Sequence, residues 1–293
     1  MTPLLDAALL DTLKRSRLLD RDADPRHGIG ERRSRAVGPG IEFSDYRDYQ
    51  AGDDFRYLDR HVYQRLGRAV IRQYTVEQRI AVTVLIDASA SMSFGTPRKF
   101  DRAVELAAVV AAVGVFGGDQ VDVASCTESR VSWHPKITSP RGLPDLFTWL
   151  KTHQPAGALD LEAMARATAE RRSARSLLVV ISDWTAPGVS AALRRFRAAG
   201  HGVVALHVMA PDEADPALGR SGTTQLIDCE SGAMVEVALD AGTIARYRTA
   251  FDEWTRETRD AVTATGGRWL SVSSDAPLRD VVLRTWRAQG LIS

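Results

Sequence analysis

Two short runs of aliphatic residues, at 80–86 and 177–182, constrain the fold of this chain more than any other feature. Each run has the length and composition of a strand that is buried on both faces, and each leads to an aspartate, Asp87 and Asp183. Further strand-like runs alternate with helical patterns that end at glycines throughout residues 80–293. This alternation predicts an α/β fold, in which helices cover both faces of a mostly parallel central sheet.

The N-terminal part of the chain differs in composition. Leucines at helical spacing predict an amphipathic helix at 4–19, whereas residues 26–59 are rich in Gly, Arg, Asp and aromatic residues and contain few aliphatic ones. Residues 67–74 have the pattern of a strand that leads, after a short turn near Glu77, into the strand at 80–86. We therefore divide the chain into residues 1–79, a helix with a Gly/Arg/Asp-rich extension packed on the main domain, and residues 80–293, the α/β domain.

The first long helix of the α/β domain has a clear start signal. Thr96 and Pro97 have the residue types of an N-cap and a first helical position, and they predict a helix that continues to residue 116. The helix is apolar on nearly all sides and is followed by two glycines, so we expect it to be buried.

Polar residues with the chemistry of metal ligands follow the first aliphatic run. Asp87, Ser89 and Ser91 place a carboxylate and two hydroxyls at alternating positions, and hard oxygen atoms of this kind suit Mg²⁺ or Mn²⁺. The same residue types also form turns and helix caps for local reasons. Parallel strands present their carboxyl ends at one edge of a sheet, so Asp183 should join the group, where a cation would stabilise the two carboxylates. The sequence therefore predicts a metal site formed by Asp87, Ser89, Ser91 and Asp183.

Composition excludes several other classes of function. The formal net charge is only +1, and the basic residues at 14–35 are mixed with acidic ones, so we expect a solvated face and no nucleic-acid partner. Cys126 and Cys229 belong to no Cys-x-x-Cys or Cys/His pattern, which argues against a zinc site. The N-terminus lacks the pattern of a secretory signal, and the longest apolar run, at 106–118, is too short to span a bilayer. We therefore expect a cytoplasmic protein without membrane insertion.

Several motifs resemble those of known families. Asp87-x-Ser89-x-Ser91, together with Asp183, resembles the metal-ion-dependent adhesion site of von Willebrand factor A-like domains. Other motifs resemble a bacterial domain-of-unknown-function family that is often found beside MoxR-type AAA+ ATPases. These motifs are Gly30-Glu-Arg-Arg-Ser34, Gly38-Pro-Gly40-Ile-Glu42-Phe43, Arg47-Asp-Tyr49, Gly52-Asp53-Asp54-x-Arg56-x-x-Asp59 and Arg65. The resemblance covers nearly the whole chain and implies a three-layer von Willebrand factor A-like, or Rossmann-like, domain.

The chain departs from these families at two places. Arg60 stands where the family usually has a tryptophan after Asp59. More importantly, Ala158-Leu159-Asp160-Leu161 replaces the usual Gly-Thr-Asp-Leu, so Leu159 offers no oxygen where a metal-directed threonine is expected. Asp160 is either an additional metal ligand or the N-cap of the helix that follows. Leu159 therefore predicts a degenerate site, which keeps the shape of a metal site and binds Mg²⁺ or Mn²⁺ weakly or not at all.

The resemblance implies a non-enzymatic protein-binding module. A partly coordinated Mg²⁺ keeps open positions, which an acidic side chain of a partner protein completes. The implied partner is a MoxR-type AAA+ ATPase or its client protein, and the chain would serve as an adaptor in the assembly or maturation of protein complexes.

The alternative function is that of a Mg²⁺-dependent phosphohydrolase or phosphotransferase, with Asp87 as the nucleophile. The loops beside Asp87 contain no lysine that would pair with a phosphoryl group, Lys99 being the nearest. Phosphate-loop, Gly-x-Ser-x-Gly and His-Glu-x-x-His motifs are also absent from the sequence. We therefore expect that the protein is not an enzyme.

Charged residues of the extension have two interpretations. The residues are Glu42, Arg47, Asp53, Asp54, Arg56 and Asp59. They form either an internal salt-bridge network or a contact surface for the ATPase. We favour the structural role, because a glycine-rich segment with few aliphatic residues needs such ties to be ordered.

Overall fold

A computed structural model describes residues 3–19, 33–36, 42–77, 80–128, 130–171, 175–216, 222–230 and 232–293. The chain forms two compact units, one of Leu19–Arg79 and a larger one of Met1–Leu18 with Ile80–Ser293. The sequence groups the N-terminal helix with the extension, whereas the structure places it in the larger unit. Helix α1 (Ala7–Leu13) buries Leu9 and Leu13 in the apolar core of that unit, which explains its position.

The smaller unit contains a three-stranded antiparallel sheet and a short helix. Strands β1 (Arg33–Ala36), β2 (Glu42–Asp48) and β3 (Val70–Glu77) lie in the order β1-β3-β2, and helix α2 (Arg60–Leu66) lies between β2 and β3 in the chain. The strand predicted at 67–74 is present as β3, although it begins only at Val70. Strand β3 has an antiparallel neighbour on each side, so its backbone hydrogen bonds are used within this separate sheet.

The larger unit is built on a six-stranded sheet. Its elements after α1 are β4 (Ala81–Asp87), α3 (Lys99–Phe116), β5 (Gln120–Cys126), β6 (Val131–Trp133), α4 (Leu143–Thr152), α5 (Leu161–Arg171), β7 (Leu177–Ser182), α6 (Val189–Ala198), β8 (Gly202–Met209), α7 (Pro211–Ala214), β9 (Gly222–Ile227), β10 (Met234–Leu239), α8 (Ala241–Ala264), β11 (Arg268–Ser273) and α9 (Leu278–Asp280). The sheet order is β11-β8-β7-β4-β5-β6, and every neighbouring pair is parallel except β5 and β6. Strands β9 and β10 form a separate hairpin. Among the described residues, no helix combines the length and the apolar character needed to cross a membrane.

Alternate residues of the central strands face opposite sides of the sheet and enter two separate cores. In β4, Val84 lies in the core with residues of α1, α3 and α4, whereas Leu85 lies in the core with residues of α5, α6 and α8. Both side chains are fully buried, and burial of an aliphatic side chain contributes about 1.5–3 kcal/mol. The domain therefore has three layers, and the predicted α/β class with a mostly parallel sheet is confirmed.

The start of helix α3 differs from the expectation and positions a functional side chain. The helix begins at Lys99, not at Pro97, because the chain first makes a turn at residues 95–98. Gly95 in this turn has a φ of +93°, and a Cβ atom there would lie 2.5 Å from the Cβ of Ala210 at the end of β8. This close approach fixes the first residue of α3 beside the carboxyl edge of the sheet.

Candidate functional site

Two aspartates and two serines converge at the carboxyl edge of the central sheet. Asp87 ends β4, and Asp183 directly follows β7, which pairs with β4 in parallel register. Both aspartates are buried, and the hydroxyls of Ser89 and Ser91 lie 3.0 Å apart. Ser89 is hydrogen-bonded to Asp87 and Ser91 to Asp183, so these four residues lie together at one site.

Asp87 is held by hydrogen bonds to both of its carboxylate oxygens. The backbone N–H of Ser89 donates to Oδ1 at 2.8 Å, and the hydroxyl of Ser182 donates to Oδ2 at 2.6 Å. Burial, reinforced by the charge of Asp183, raises the pKa of Asp87 to about 6. Burial thus makes ionisation of Asp87 less favourable than that of an exposed aspartate.

Asp183 is paired with a lysine that enters the site from the start of α3. The ammonium of Lys99 donates to Oδ2 of Asp183 at 2.7 Å, while the hydroxyl of Thr185 donates to Oδ1 at 2.9 Å. Burial alone would raise the pKa of Asp183, but the charge and the hydrogen bond of Lys99 hold this pKa below its usual value. Asp183 is therefore a carboxylate whose counter-ion is part of the chain.

Lys99 and Glu213 complete the charged group. The Lys99 side chain is only 1% exposed, and its ammonium also donates to the carboxylate of Glu213. Burial opposes the charge of Lys99, yet the two carboxylates raise its pKa above the usual value, so the ammonium stays protonated. The helix dipole disfavours a cation in the first turn of a helix, and the attraction of Asp183 and Glu213 explains why Lys99 is nevertheless located there.

The sequence reasoning missed both Lys99 and Glu213 as site residues. Glu213 lies on α7, directly after β8, and β8 neighbours β7 in the sheet. Glu213 could therefore have been predicted as a site residue, because parallel strands bring their carboxyl ends to one edge of the sheet. Lys99 had a weaker signal, a cation in the first turn of a helix that is apolar from Leu106 onward.

Leu159 and Asp160 do not add oxygen ligands to the site as the structure stands. Leu159 is buried in the apolar core that contains Leu85. Asp160 caps α5, because its Oδ1 accepts from the backbone N–H groups of Glu162 at 2.9 Å and Ala163 at 2.8 Å.

The donor set does not fit a divalent cation in this arrangement. The oxygens of Asp87 already accept hydrogen bonds, and the Lys99 ammonium lies where a cation on Asp183 would bind. Within the ranges that the structure describes, no group of three or more His, Cys, Asp or Glu residues is arranged to hold a metal ion. Mg²⁺ requires six oxygen ligands, and Leu159 supplies none.

Charged residues of the smaller unit pair with one another. Arg47 and Asp53 form a two-point ion pair, with both N–O distances at 2.6 Å. The hydrogen bond from Arg47 lowers the pKa of Asp53 to about 2. Asp54 accepts from the guanidinium of Arg56 at 2.6 Å and from the backbone N–H of Arg56 at 3.0 Å.

Asp59 is the buried member of this set. Its Oδ1 accepts from the backbone N–H groups of His61 at 2.9 Å and Val62 at 3.1 Å, so it caps α2, and the hydroxyl of Tyr46 donates to its Oδ2 at 3.0 Å. Glu42 begins β2, and its side chain is outside the described part. The motif residues 30–32 and 38–41 also lie outside the described residues.

A cavity of about 330 Å³, here called the edge cavity, opens beside the charged group. Its lining includes Asp183, His207, Glu213, Tyr247, Phe251 and Trp254. Burial lowers the pKa of His207 to about 4, so the imidazole is neutral at physiological pH. The edge cavity therefore has aromatic walls and carboxylates in its lining.

The hairpin of β9 and β10 lies within electrostatic reach of this site. Burial, together with the charges of Asp228 and Asp183, raises the pKa of Glu230 in the hairpin turn. The same hairpin exposes four apolar side chains, each between 50% and 63% exposed, which we call the apolar hairpin patch: Leu226, Ile227, Met234 and Val235. They form two cross-strand pairs, Leu226–Val235 and Ile227–Met234, and these pairs lie on opposite faces of the hairpin because successive strand residues alternate.

Comparison with known proteins supports a family assignment. The family model described as "Protein of unknown function DUF58" matches residues 45–261 of this chain. The uncharacterized protein Rv1480 of Mycobacterium tuberculosis (strain ATCC 25618 / H37Rv) is 29% identical over 255 residues, which cover 84% of this chain and 78% of Rv1480.

Similar solved structures include an aerotolerance-related membrane protein of Bacteroides fragilis NCTC 9343 and the SpRpn10 VWA domain. The first is 19% identical with a TM-score of 0.45, and the match covers 67% of this chain and 92% of that chain. The second is 9% identical with a TM-score of 0.38, and the match covers 71% of this chain and 95% of that chain. Both TM-scores lie below 0.5, so inferences about the site depend on its own residues.

Proposed function

This chain belongs to the DUF58 family, and we propose that it is a non-enzymatic protein-binding module that docks its partner at the carboxyl edge of the central sheet. The observation that carries the proposal is the Lys99–Asp183 ion pair, in which the chain itself supplies a positive charge to carboxylates that a metal ion would otherwise bind. The edge cavity lies at this edge, and Glu230 in the turn of the hairpin that carries the apolar patch is within electrostatic reach of Asp183. An exposed apolar surface beside a polar cleft is typical of a protein-binding surface.

In this proposal Lys99 takes the place of the metal ion. Its ammonium supplies the positive charge that two neighbouring carboxylates require, without Mg²⁺ or Mn²⁺. The site is therefore degenerate as a metal-ion-dependent adhesion site but keeps its position at the sheet edge. Partner binding should proceed in the presence of a chelator.

The alternative, a phosphotransfer enzyme with Asp87 as nucleophile, has less support. Asp87 is 1% exposed, and both of its oxygens accept hydrogen bonds, so neither is presented to a substrate. Lys99 is engaged with Asp183 and Glu213 and is not directed at a bound phosphoryl group.

The partner that we propose is a MoxR-type AAA+ ATPase or its client protein, in the cytoplasm, during assembly or maturation of a protein complex. This partner comes from the family resemblance of the sequence motifs. For the extension we propose the structural role, because the pairs Arg47–Asp53 and Asp54–Arg56 and the cap at Asp59 use its charges internally. Their side chains stabilise the extension and need no contact with the ATPase.

A binding assay tests this proposal with a purified MoxR-type AAA+ ATPase from the same genome. The test variant is Leu226→Ser/Val235→Ser, which makes the apolar hairpin patch polar at two exposed positions and should leave the core intact. The matched control is Leu66→Ser, because Leu66 is 69% exposed on α2 of the other unit.

Wild-type protein and the Leu66 variant should bind the ATPase equally with and without chelator. The hairpin variant should bind at least about tenfold more weakly, the effect of losing about 1.4 kcal/mol. Unchanged binding by the hairpin variant, or loss of wild-type binding on addition of chelator, would contradict the proposal.

A further inference from the structure

A row of aromatic side chains forms one wall of the edge cavity. Tyr247, Phe251 and Trp254 occur at helical spacing along α8 and therefore lie on one face of that helix. The ring centroids of Tyr247 and Phe251 are 6.0 Å apart, and those of Phe251 and Trp254 are 5.8 Å apart. The faces of aromatic rings attract cations that lie within about 6 Å. This wall is suited to a flat cationic group.

Carboxylates contribute another part of the lining. Asp183 and Glu213 share one ammonium, that of Lys99, so one negative charge of the three groups is left uncompensated. The Glu213 side chain is 23% exposed, and its carboxylate therefore remains accessible from the cavity that it lines. Glu230 in the hairpin turn adds negative charge nearby. The cavity therefore favours a cation over an anion.

The size of the cavity is sufficient for a single side chain of a partner protein. At about 330 Å³ it lies at the lower end of the range for small-molecule sites, which is roughly 300–1,000 Å³. A bound Mg²⁺ would attract an acidic side chain, but the carboxylates of this cavity repel one. A positively charged side chain is attracted both by these carboxylates and by the faces of the aromatic rings.

From this geometry we infer that the edge cavity binds an arginine side chain of the partner protein, with its guanidinium stacked on the aromatic wall and hydrogen-bonded to Glu213. This inference rests on the proposed protein-binding function. Arginine fits better than lysine, because a planar guanidinium stacks on aromatic rings and donates several hydrogen bonds at once. The partner side chain is thus basic, whereas a metal-containing site would bind an acidic side chain.

A titration with small analogues tests the chemistry directly. N-acetyl-arginine methylamide carries the guanidinium, and N-acetyl-citrulline methylamide replaces it by a neutral urea group of nearly the same shape. The chain contains six tryptophans, whose indole N–H signals in an ¹⁵N spectrum report binding site by site. The variant Trp254→Leu identifies the Trp254 signal and also removes part of the aromatic wall.

The arginine analogue should shift the Trp254 signal in a saturable way, and the citrulline analogue should bind about tenfold or more weakly. N-acetyl-lysine methylamide should bind less tightly than the arginine analogue. Equal binding of arginine and citrulline analogues, tighter binding of the lysine analogue, or preferential binding of N-acetyl-aspartate methylamide would each overturn the inference.

Two charge variants locate the cation. Glu213→Gln removes a cavity charge but keeps one side-chain oxygen, which can accept from Lys99 or from the Ala210 backbone N–H, and it should weaken arginine binding about tenfold. The matched control is Glu253→Gln, an exposed carboxylate on the same helix as Trp254 that does not line the cavity, and it should bind as wild type does. Equal binding by both variants would refute the role of Glu213.

The outcomes also separate this inference from the proposed function. ATPase binding by wild-type protein without any arginine-dependent shift of Trp254 would reject the arginine site and leave the docking proposal intact. Absence of ATPase binding, with an arginine-dependent shift, would reject the proposed partner and retain the cavity chemistry.

Discussion

Replacement of Lys99 by methionine should destabilise the protein strongly, because it leaves Asp183 buried without its counter-ion. The Lys99 and Asp183 side chains are 1% and 3% exposed, and the charged atoms lie 2.7 Å apart. At an effective dielectric constant of about 20, charges at this distance attract by about 6 kcal/mol, a gross value that desolvation opposes. Loss of one partner of such a buried pair costs about 3–5 kcal/mol, and this is the loss that we predict for Lys99→Met.

Urea denaturation followed by circular dichroism measures this loss. With a slope of about 3 kcal/mol per molar urea, a loss of 4 kcal/mol lowers the midpoint by about 1.3 M. The matched control is Arg98→Met, since the neighbouring Arg98 pairs with Asp101 at the same 2.7 Å, but with side chains that are 42% and 52% exposed. This exposed pair should contribute no more than about 1 kcal/mol.

A double-mutant cycle separates the ion pair from packing effects. Lys99→Met/Asp183→Asn should cost less than the sum of its two single variants, by about 2–3 kcal/mol, because the double variant contains neither Lys99 nor Asp183 as an unpaired buried charge. A loss below about 1 kcal/mol for Lys99→Met, or strict additivity in the cycle, would refute the view that Lys99 is the counter-ion of this site.

Two further predictions concern pH and the extension. Burial lowers the pKa of His207 from 6.5 to about 4, so the folded state keeps His207 neutral while the unfolded state gains a proton, and stability is lost as the pH falls through this window. The free energy of unfolding is measured for wild-type protein and for His207→Gln at pH 7 and at pH 4. Between these pH values the wild-type protein should lose about 3 kcal/mol more unfolding free energy than the variant. A difference between the two proteins that does not vary with pH would exclude the buried neutral imidazole. In the extension, Asp59→Ala should remove the α2 cap and the Tyr46 contact, which should destabilise the smaller unit by about 1–2 kcal/mol. Amide hydrogen exchange in α2 should therefore become faster, and unchanged exchange would contradict the prediction.

Much of the site was predictable from the order of elements along the chain. Asp87 and Asp183 each follow an apolar strand, and parallel strands bring their carboxyl ends to one edge whatever their other contacts are. Strands β4 and β7 are direct neighbours, so the two carboxylates also lie close together. The argument that adjacent carboxylates need a cation was also sound, but it did not identify the cation.

The rest depended on contacts that no local pattern encodes. Lys99 reaches Asp183 because the turn at Gly95 packs against Ala210, which delays the start of α3 beyond the Thr96-Pro97 signal. A strand pattern also does not identify the neighbouring strands, so the sequence predicts a strand at 67–74 but not its pairing with β1 and β2. Long-range partners of this kind are set by tertiary packing.

The most direct test of Lys99 in place of a metal ion is the paramagnetic broadening of amide signals by Mn²⁺ in the wild-type protein. Mn²⁺ bound at the sheet edge would broaden the amide signals of Ser89, Ser91 and Thr185, which surround the two carboxylates. We predict that these signals keep their intensity, beyond the uniform effect of free Mn²⁺, at concentrations that saturate an ordinary protein Mn²⁺ site. Selective and saturable broadening of these three signals would contradict the central claim.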